Sequence, residues 1–190
     1  MTELEEYIKS YFGVVEADEL DTIVSFFNTT AIKKGDFLLK SGSRCNGLTF
    51  VHSGLLRIFA TTDSKEVTQW ISTKGYFTGD LSSFIFGTHS QLSIQALSDA
   101  EISSISKENY KQLGDLLPRW HELEKLFIAR CFITLEQRIF SHLSMTAEER
   151  YEAFFEQNPA LFNQVPLQYI ASMLGMTPET FSRIRKKQRL

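Results

Sequence analysis

The sequence has little cysteine, no long apolar run and no N-terminal targeting pattern. Its two cysteines, Cys45 and Cys131, stand far apart without a second cysteine or histidine at metal-ligand spacing. This argues against a disulfide framework, a zinc site and a cysteine-ligated iron–sulfur cluster. No stretch approaches the roughly 18 apolar residues of a membrane-spanning helix, and residues 1–6 lack the basic and apolar regions of a signal peptide. We expect a cytoplasmic protein with reduced thiols, no bound metal or cofactor and no membrane partner.

Catalytic motifs are also missing. The four histidines lie in different predicted elements without an i, i+4 pair, and no serine, aspartate or glutamate stands in a nucleophile motif. Gly79 and Asp80 are not followed by the Lys-Ser/Thr pair of a phosphate-binding loop. The sequence therefore predicts a protein that is not an enzyme.

Charge is small in total but unevenly distributed. With 20 basic and 23 acidic residues the net charge is -3, which taken alone argues against a nucleic-acid partner. Residues 1–21 hold seven acidic side chains against one lysine, whereas residues 178–190 hold five basic side chains against one glutamate. Such polarity between the chain ends indicates a charged binding partner.

The region from residue 31 to residue 106 has the pattern of short strands separated by glycine turns. Turns recur every 8 to 12 residues or so, the spacing expected of a sandwich or barrel. We predict a small antiparallel β-roll, preceded by an amphipathic helix that Asp18 caps and that carries Leu20, Ile23, Val24 and Phe27 on one face. The predicted strands are residues 37–39, 48–52, 55–60, 67–71, 93–97 and 101–105.

Two helices are predicted after the β-roll. Ser106 is expected to cap a short helix through Leu113, and Pro118 to begin a long helix that runs to about Leu143. The long helix has two apolar stripes: Leu116, Trp120, Leu123 and Phe127 form one, and Ile128, Phe132, Leu135, Ile139 and Leu143 form the other. One β-roll face covers only one stripe, so the second packs against the C-terminal domain or against the same helix of a second subunit. We favour the homodimer.

Residues 167–187 have the pattern of a helix-turn-helix. Ile170, Ala171 and Leu174 share one face of a short helix, and Gly175 permits a tight turn. Thr177 is expected to cap a second helix that begins at Pro178 and buries Phe181 and Ile184 against the first. A capping box at Thr146 and Glu149 begins another helix upstream, through Phe155.

The outward face of the second helix is polar and basic. Arginine pairs bidentately with guanine, glutamate accepts from cytosine, and lysine neutralises phosphate. A solvated basic helix accounts for the composition alone, but the joint pattern favours double-stranded DNA as the partner. The candidate DNA-binding residues are Gln168, Thr177, Glu179, Thr180, Ser182, Arg183, Arg185, Lys186 and Lys187, with Arg189 beside them.

Nearly the whole chain resembles a known family. The matching stretches are residues 32–59, which include Gly35, Gly42 and Gly54, and residues 75–84, 93–102 and 150–187. The match over residues 150–187 is the most specific. These stretches resemble the Crp/Fnr transcription regulators, in particular the short members common in Bacteroidetes. The resemblance implies an α+β protein: an N-terminal antiparallel β-roll, the jelly roll of cyclic-nucleotide-binding domains, with flanking helices, a long dimerisation helix and a C-terminal helix-turn-helix domain. The expected domains are residues 1–117, 118–143 and 144–190. RNA polymerase is a partner implied by the same resemblance.

The sequence departs from the phosphate cassette of the family's nucleotide-binding members. There, Gly-Glu-Leu is followed by a short loop and Pro-Arg-Ser; the Glu holds ribose hydroxyls and the Arg holds the cyclic phosphate. Here the first part is Gly79-Asp80-Leu81, and Ser90 aligns with the Arg. A lost charge-assisted bond costs about 1.5 to 3 kcal/mol, so cyclic AMP is not expected to bind. The pocket then serves another small-molecule effector or only a scaffold; its candidate residues are Gly79, Asp80, Leu81, Ser82, Ser90 and Gln91.

The recognition positions agree with the family pattern at Glu179 and Arg183, whereas Pro178 stands where a polar or basic residue is usual. The sequence ends seven residues after Arg183, so we expect no β-hairpin wing after the recognition helix. The basic residues at 185, 186, 187 and 189 are then expected to contact the DNA backbone. The main alternative is a sensor that acts through a protein partner and does not bind DNA.

Overall fold

The computed structural model describes residues 2–188 and falls into two compact units. Among the described residues, the first unit comprises residues 2–58 and 71–132, and the second comprises residues 59–70 and 133–188. None of the helices formed by residues 2–188 is long and apolar enough to cross a membrane.

The N-terminal part of the chain is a β-roll with flanking helices. Its strands form two four-stranded sheets, in the orders β1-β8-β3-β6 and β2-β7-β4-β5, and the α+β fold class is confirmed. The strands are β1 (Asn28–Ile32), β2 (Phe37–Leu39), β3 (Gly47–Ser53), β4 (Leu56–Thr61), β5 (Glu66–Ser72), β6 (Phe77–Thr78), β7 (Leu92–Ala96) and β8 (Ala100–Ser106). The helices are α1 (Glu3–Phe12), α2 (Ala17–Ser25), α3 (Leu81–Phe86) and α4 (Lys107–Leu116).

All six predicted strands are present, with ends that shift by at most one residue. The sequence pattern does not indicate β1 and β6. Strand β1 begins Asn-Thr-Thr and is largely exposed, so it has no apolar alternation to detect. Strand β6 has only two residues and is defined by its pairing with β3.

Predicted helix boundaries differ from the structure at several ends, including that of α4, which ends at Leu116 and not at Leu113. Helix α2 is capped by Glu16, whose capping box with Glu19 places Asp18 inside the first turn. The same helix ends at Ser25, before Phe27. The long helix begins at Trp120 and not at Pro118, because the proline holds the preceding residue in an extended conformation and lies in a turn. The cap of α4 is as predicted, since the Ser106 side chain accepts from the Asn109 N–H.

Helix α5 (Trp120–Ser144) contributes its first half to the core of the first unit. The side chains of Trp120, Leu123 and Phe127 are buried, and the Phe127 ring stacks on Phe12 with centroids 4.9 Å apart. The predicted fourth member of this stripe, Leu116, is the last residue of α4 and is 57% exposed. The prediction for Leu116 is therefore wrong, because the chain turns between α4 and α5.

The second stripe of α5 remains exposed in the single chain. Leu135, Ile139 and Leu143 are 48%, 60% and 82% exposed, although they belong to the same unit as the C-terminal helices. Those helices therefore do not cover these three side chains. Ile128 and Phe132 continue the stripe and are also exposed.

In the part of the chain that the structure describes, the second unit contains four further helices. Its core is aromatic: the Tyr151 ring lies edge-on to Phe162 and Phe181, with centroids 5.4 and 5.2 Å away. The capping box of Thr146 and Glu149 is confirmed. The helices are α6 (Ala147–Gln157), α7 (Leu161–Gln164), α8 (Leu167–Met173) and α9 (Pro178–Gln188).

Candidate nucleic-acid interface

Helices α8 and α9 form the predicted helix-turn-helix. Ile170 and Ala171 on α8 are fully buried, and Phe181 and Ile184 on α9 are 1% and 3% exposed. Gly175 lies in the turn with φ of +69°, a conformation that residues with a side chain rarely adopt. The inward faces and the turn expected from the sequence are thus present.

Two arginines that the sequence analysis did not single out hold the turn. Arg138 of α5 donates from Nη2 to the Met173 carbonyl over 2.8 Å, and Arg150 of α6 donates from Nε to the Leu174 carbonyl over 3.0 Å. These carbonyls are at the C-terminal end of α8, where helix carbonyls lack partners within the helix and cations are favoured. The arginines thereby satisfy the end of α8 at the point where the chain turns towards α9.

The start of α9 is fixed by its predicted cap. The Thr177 hydroxyl accepts from the Thr180 N–H over 3.2 Å. Hydrogen bonds from the Glu179 backbone and the Thr177 side chain hold the pKa of the Glu179 carboxyl below its ordinary value. Glu179 is exposed and ionised at neutral pH, so it offers acceptor oxygens only.

The outward face of α9 is polar, exposed and basic towards its end. Thr180 and Arg185 are half-buried, whereas the other candidate contacts on α9 are exposed, as are Gln168 on α8 and the capping Thr177. Within residues 2–188, no carboxylate lies within ion-pair distance of Arg183. Arg183 is therefore available to an external acceptor, and Arg189 lies outside the described residues. The exposed residues of α9 are Glu179, Ser182, Arg183, Lys186 and Lys187.

The end of α9 is tied to α6 by side-chain contacts. Lys187 Nζ lies 3.1 Å from both carboxylate oxygens of Glu148, and Gln188 donates to Glu152. The Lys187–Glu148 pair is solvent-exposed, so it is weak and can be exchanged for a phosphate. Lys187 thus has an internal anionic partner that the sequence pattern does not indicate.

Two of the candidate effector residues, Asp80 and Ser90, are hydrogen-bonded to each other within the first unit. Asp80 caps α3 by accepting from the Ser83 N–H, and its second oxygen accepts from the Ser90 hydroxyl over 2.7 Å. Ser90 is only 3% exposed. Leu81 and Ser82 lie in α3, and Gln91 is exposed beside Ser90. The serine aligned with the phosphate-binding arginine therefore binds the aspartate of the same cassette.

A cavity of about 280 Å³ lies beside this contact, but among the six predicted effector residues only Gly79 lines it. Its other lining residues include Arg44, Cys45 and Thr49. Burial raises the pKa of the Cys45 thiol, which donates to the Gly47 carbonyl. The thiol is thus protonated at neutral pH and has no sign of activation as a nucleophile.

Comparisons with known proteins agree with this architecture. Residues 29–115 match the cyclic nucleotide-binding domain family. The transcriptional activator protein Anr of Pseudomonas aeruginosa is 27% identical over 185 residues, a match covering 90% of this chain and 73% of that protein. The fumarate and nitrate reduction regulatory protein of Vibrio cholerae is 26% identical, with 89% and 71% covered. The chain is therefore similar to regulators of the Crp/Fnr type.

The fold is also found in solved structures. FixK2 from Bradyrhizobium japonicum superposes with a TM-score of 0.71 over 86% of this chain and 84% of that chain, at 15% identity. The domain match covers the β-roll and most of α4, while the longer matches extend over about nine-tenths of the chain.

Proposed function

We propose that this protein is a cytoplasmic, sequence-specific DNA-binding transcription regulator of the Crp/Fnr type. The observation that carries the proposal is helix α9, which buries Phe181 and Ile184 and exposes Glu179 and Arg183 on the opposite face. A helix with this division has one side to pack on its domain and one side to enter a major groove. The curated relatives it matches are transcription regulators and not enzymes.

The side chains of α9 divide into two kinds of contact. Arg183 has a planar fork that pairs with the two acceptors of guanine, and ionised Glu179 accepts from the cytosine amino group. Lys186 and Lys187 follow on later turns of the helix and are suited to phosphates, together with Arg185. Gln168, Thr177, Thr180 and Ser182 supply further polar groups around the helix start.

The second apolar stripe of α5 supports a homodimer. Ile128, Phe132, Leu135 and Ile139 recur at spacings of four, three and four residues, which keeps them on one seam of two paired helices. We assign residues 118–143 to dimerisation, residues 1–117 to the sensor domain and residues 144–190 to DNA binding. A two-fold dimer presents two α9 helices to a near-palindromic operator, with half-sites roughly 34 Å apart. RNA polymerase is the partner through which such a regulator acts on transcription.

DNA binding is tested by recovering bound sites from the genome and titrating the protein on a recovered site and on a scrambled duplex. We expect tighter binding to the recovered site, weakening as salt rises, because phosphate neutralisation releases counterions. Binding that does not distinguish the two duplexes at any salt concentration would contradict the proposal. It would favour the alternative of a sensor that acts through a protein partner.

The β-roll is proposed not to respond to cyclic AMP. Ser90 stands at the position of the phosphate-binding arginine, is buried, and already donates to Asp80. A cyclic phosphate placed there would lack the guanidinium of the cassette arginine and would lie near the Asp80 carboxylate. Titration calorimetry with cyclic AMP is expected to show no saturable heat at micromolar concentrations. Micromolar affinity would contradict this prediction and would show that another cation replaces the arginine.

A further inference from the structure

The tip of the β4–β5 hairpin belongs to the same compact unit as the helix-turn-helix. In that unit the Thr68 N–H of β5 donates to the Ser172 hydroxyl of α8 over 2.9 Å. Thr68 is 1% exposed. A backbone group of the hairpin is thus bonded to a side chain of the first helix of the helix-turn-helix, 104 positions later in the sequence.

Arg138 joins the same two elements a second time. Its Nη2 donates to the Met173 carbonyl of α8, its Nη1 donates to the Gln69 carbonyl of β5, and its guanidinium lies over the Trp70 ring at 5.2 Å. The guanidinium is planar and its donors have a fixed geometry. It can hold both carbonyls only while β5 and α8 keep their relative position.

These contacts act close to the recognition helix. Ser172 and Met173 are the last two residues of α8, and α9 begins at Pro178. The backbone carbonyl oxygen of Arg138 also lies within hydrogen-bond distance of the His142 ring, 2.9 Å from its Nδ1 atom. That ring borders Gly175 in the turn, because a Cβ added there would lie 3.3 Å from His142 Cδ2. Arg138 therefore fixes the hairpin, the end of α8 and the side chain behind the turn.

We propose that Arg138 and Ser172 fasten the β4–β5 hairpin to helix α8, and that this attachment positions α9 for base recognition. The inference rests on the proposed DNA-binding function. Arg138 is a positioning residue: its guanidinium is engaged with the protein's own carbonyls and contacts no DNA. The hairpin accordingly contributes to DNA binding by holding α8 in place. Displacing the hairpin lowers the affinity for the specific operator more than the affinity for random DNA.

The attachment itself is tested without DNA. Amide exchange at Thr68 is measured in the full-length protein and in Ser172→Ala, with Lys125→Gln on an exposed part of α5 as the control. We expect Thr68 to exchange about tenfold faster in Ser172→Ala and at the parental rate in the control. An unchanged Thr68 rate in Ser172→Ala would overturn the attachment, whatever the DNA-binding result.

The positioning role is tested with Arg138→Gln and Arg138→Lys on operator and random duplexes. Loss of the guanidinium fork is expected to weaken operator binding about tenfold in both variants, with random-DNA binding unchanged. The lysine retains charge but not the fork, so a lysine variant that binds the operator as the parent does would overturn the proposal, as would equal losses on both duplexes. If the parent does not distinguish the duplexes, the DNA-binding function fails and the positioning role fails with it, while the Thr68 result still decides the attachment.

Discussion

Ile139→Glu is expected to be a monomer at micromolar concentration and to lose operator binding by a factor on the order of 100 to 10,000. Ile139 lies in the exposed stripe of α5 and is 60% exposed, so the substitution removes little from the core of the single chain. In a two-fold dimer the residue occurs twice near the axis, and two glutamates would face each other in a desolvated seam. A monomer binds one half-site and loses the second, linked contact. Sedimentation and operator titration measure the two effects.

Gln137→Glu is the matched control, because it adds the same charge to an exposed position on another side of the same helix. It is expected to remain a dimer and to bind the operator as the parent does. A parent protein that sediments as a monomer would contradict the dimer. An Ile139→Glu variant that sediments at twice the mass of the chain would show that the α5 stripe is not the dimer seam.

The helix-turn-helix could be predicted because its determinants are local. Phe181 and Ile184 are three residues apart on one helix, and Gly175 and Thr177 mark a turn and a cap within a few residues. The start of helix α2 shows where local rules fail, since two residues that can cap a helix, Glu16 and Asp18, stand two positions apart. The reciprocal bonds of Glu16 and Glu19 decide between them, and a single-residue preference for Asp18 does not contain that pairing.

The contacts that complete the site could not be predicted, because they join residues distant in the sequence. Ser172 meets Thr68 across 104 positions, and Arg138 meets Met173 across 35. In each bond one partner is a backbone group: the Thr68 N–H in the first and the Met173 carbonyl in the second. No side-chain pattern in the sequence marks a backbone partner. In the cassette, the missing arginine is visible in the sequence, but the bond from Ser90 to Asp80 depends on how the loop folds.

Arg183→Ala is expected to weaken operator binding by about 1 to 3 kcal/mol and to relax the preference at one base pair in each half-site. Arg183 is exposed on α9 opposite the buried Phe181 and Ile184, so its removal leaves the packing of the helix in place. Binding to a set of operators that carry each base at every position measures the lost preference. Retention of the full base preference would show that Arg183 does not read a base.

Lys187→Ala provides the contrasting result, because a phosphate contact carries no sequence information. It is expected to weaken binding to operator and random DNA alike and to make the salt slope shallower by about one unit. In the free protein Lys187 is paired with the Glu148 carboxylate. Binding a phosphate breaks that pair, so the loss of the pair cancels part of the attraction between Lys187 and the phosphate. Glu148→Gln, which frees the lysine, is the control and is expected to strengthen binding to both duplexes.

If the alanine variants of Arg183 and Lys187 both bind specific and random DNA as the parent does, α9 is not the recognition helix, and the protein-partner alternative takes its place.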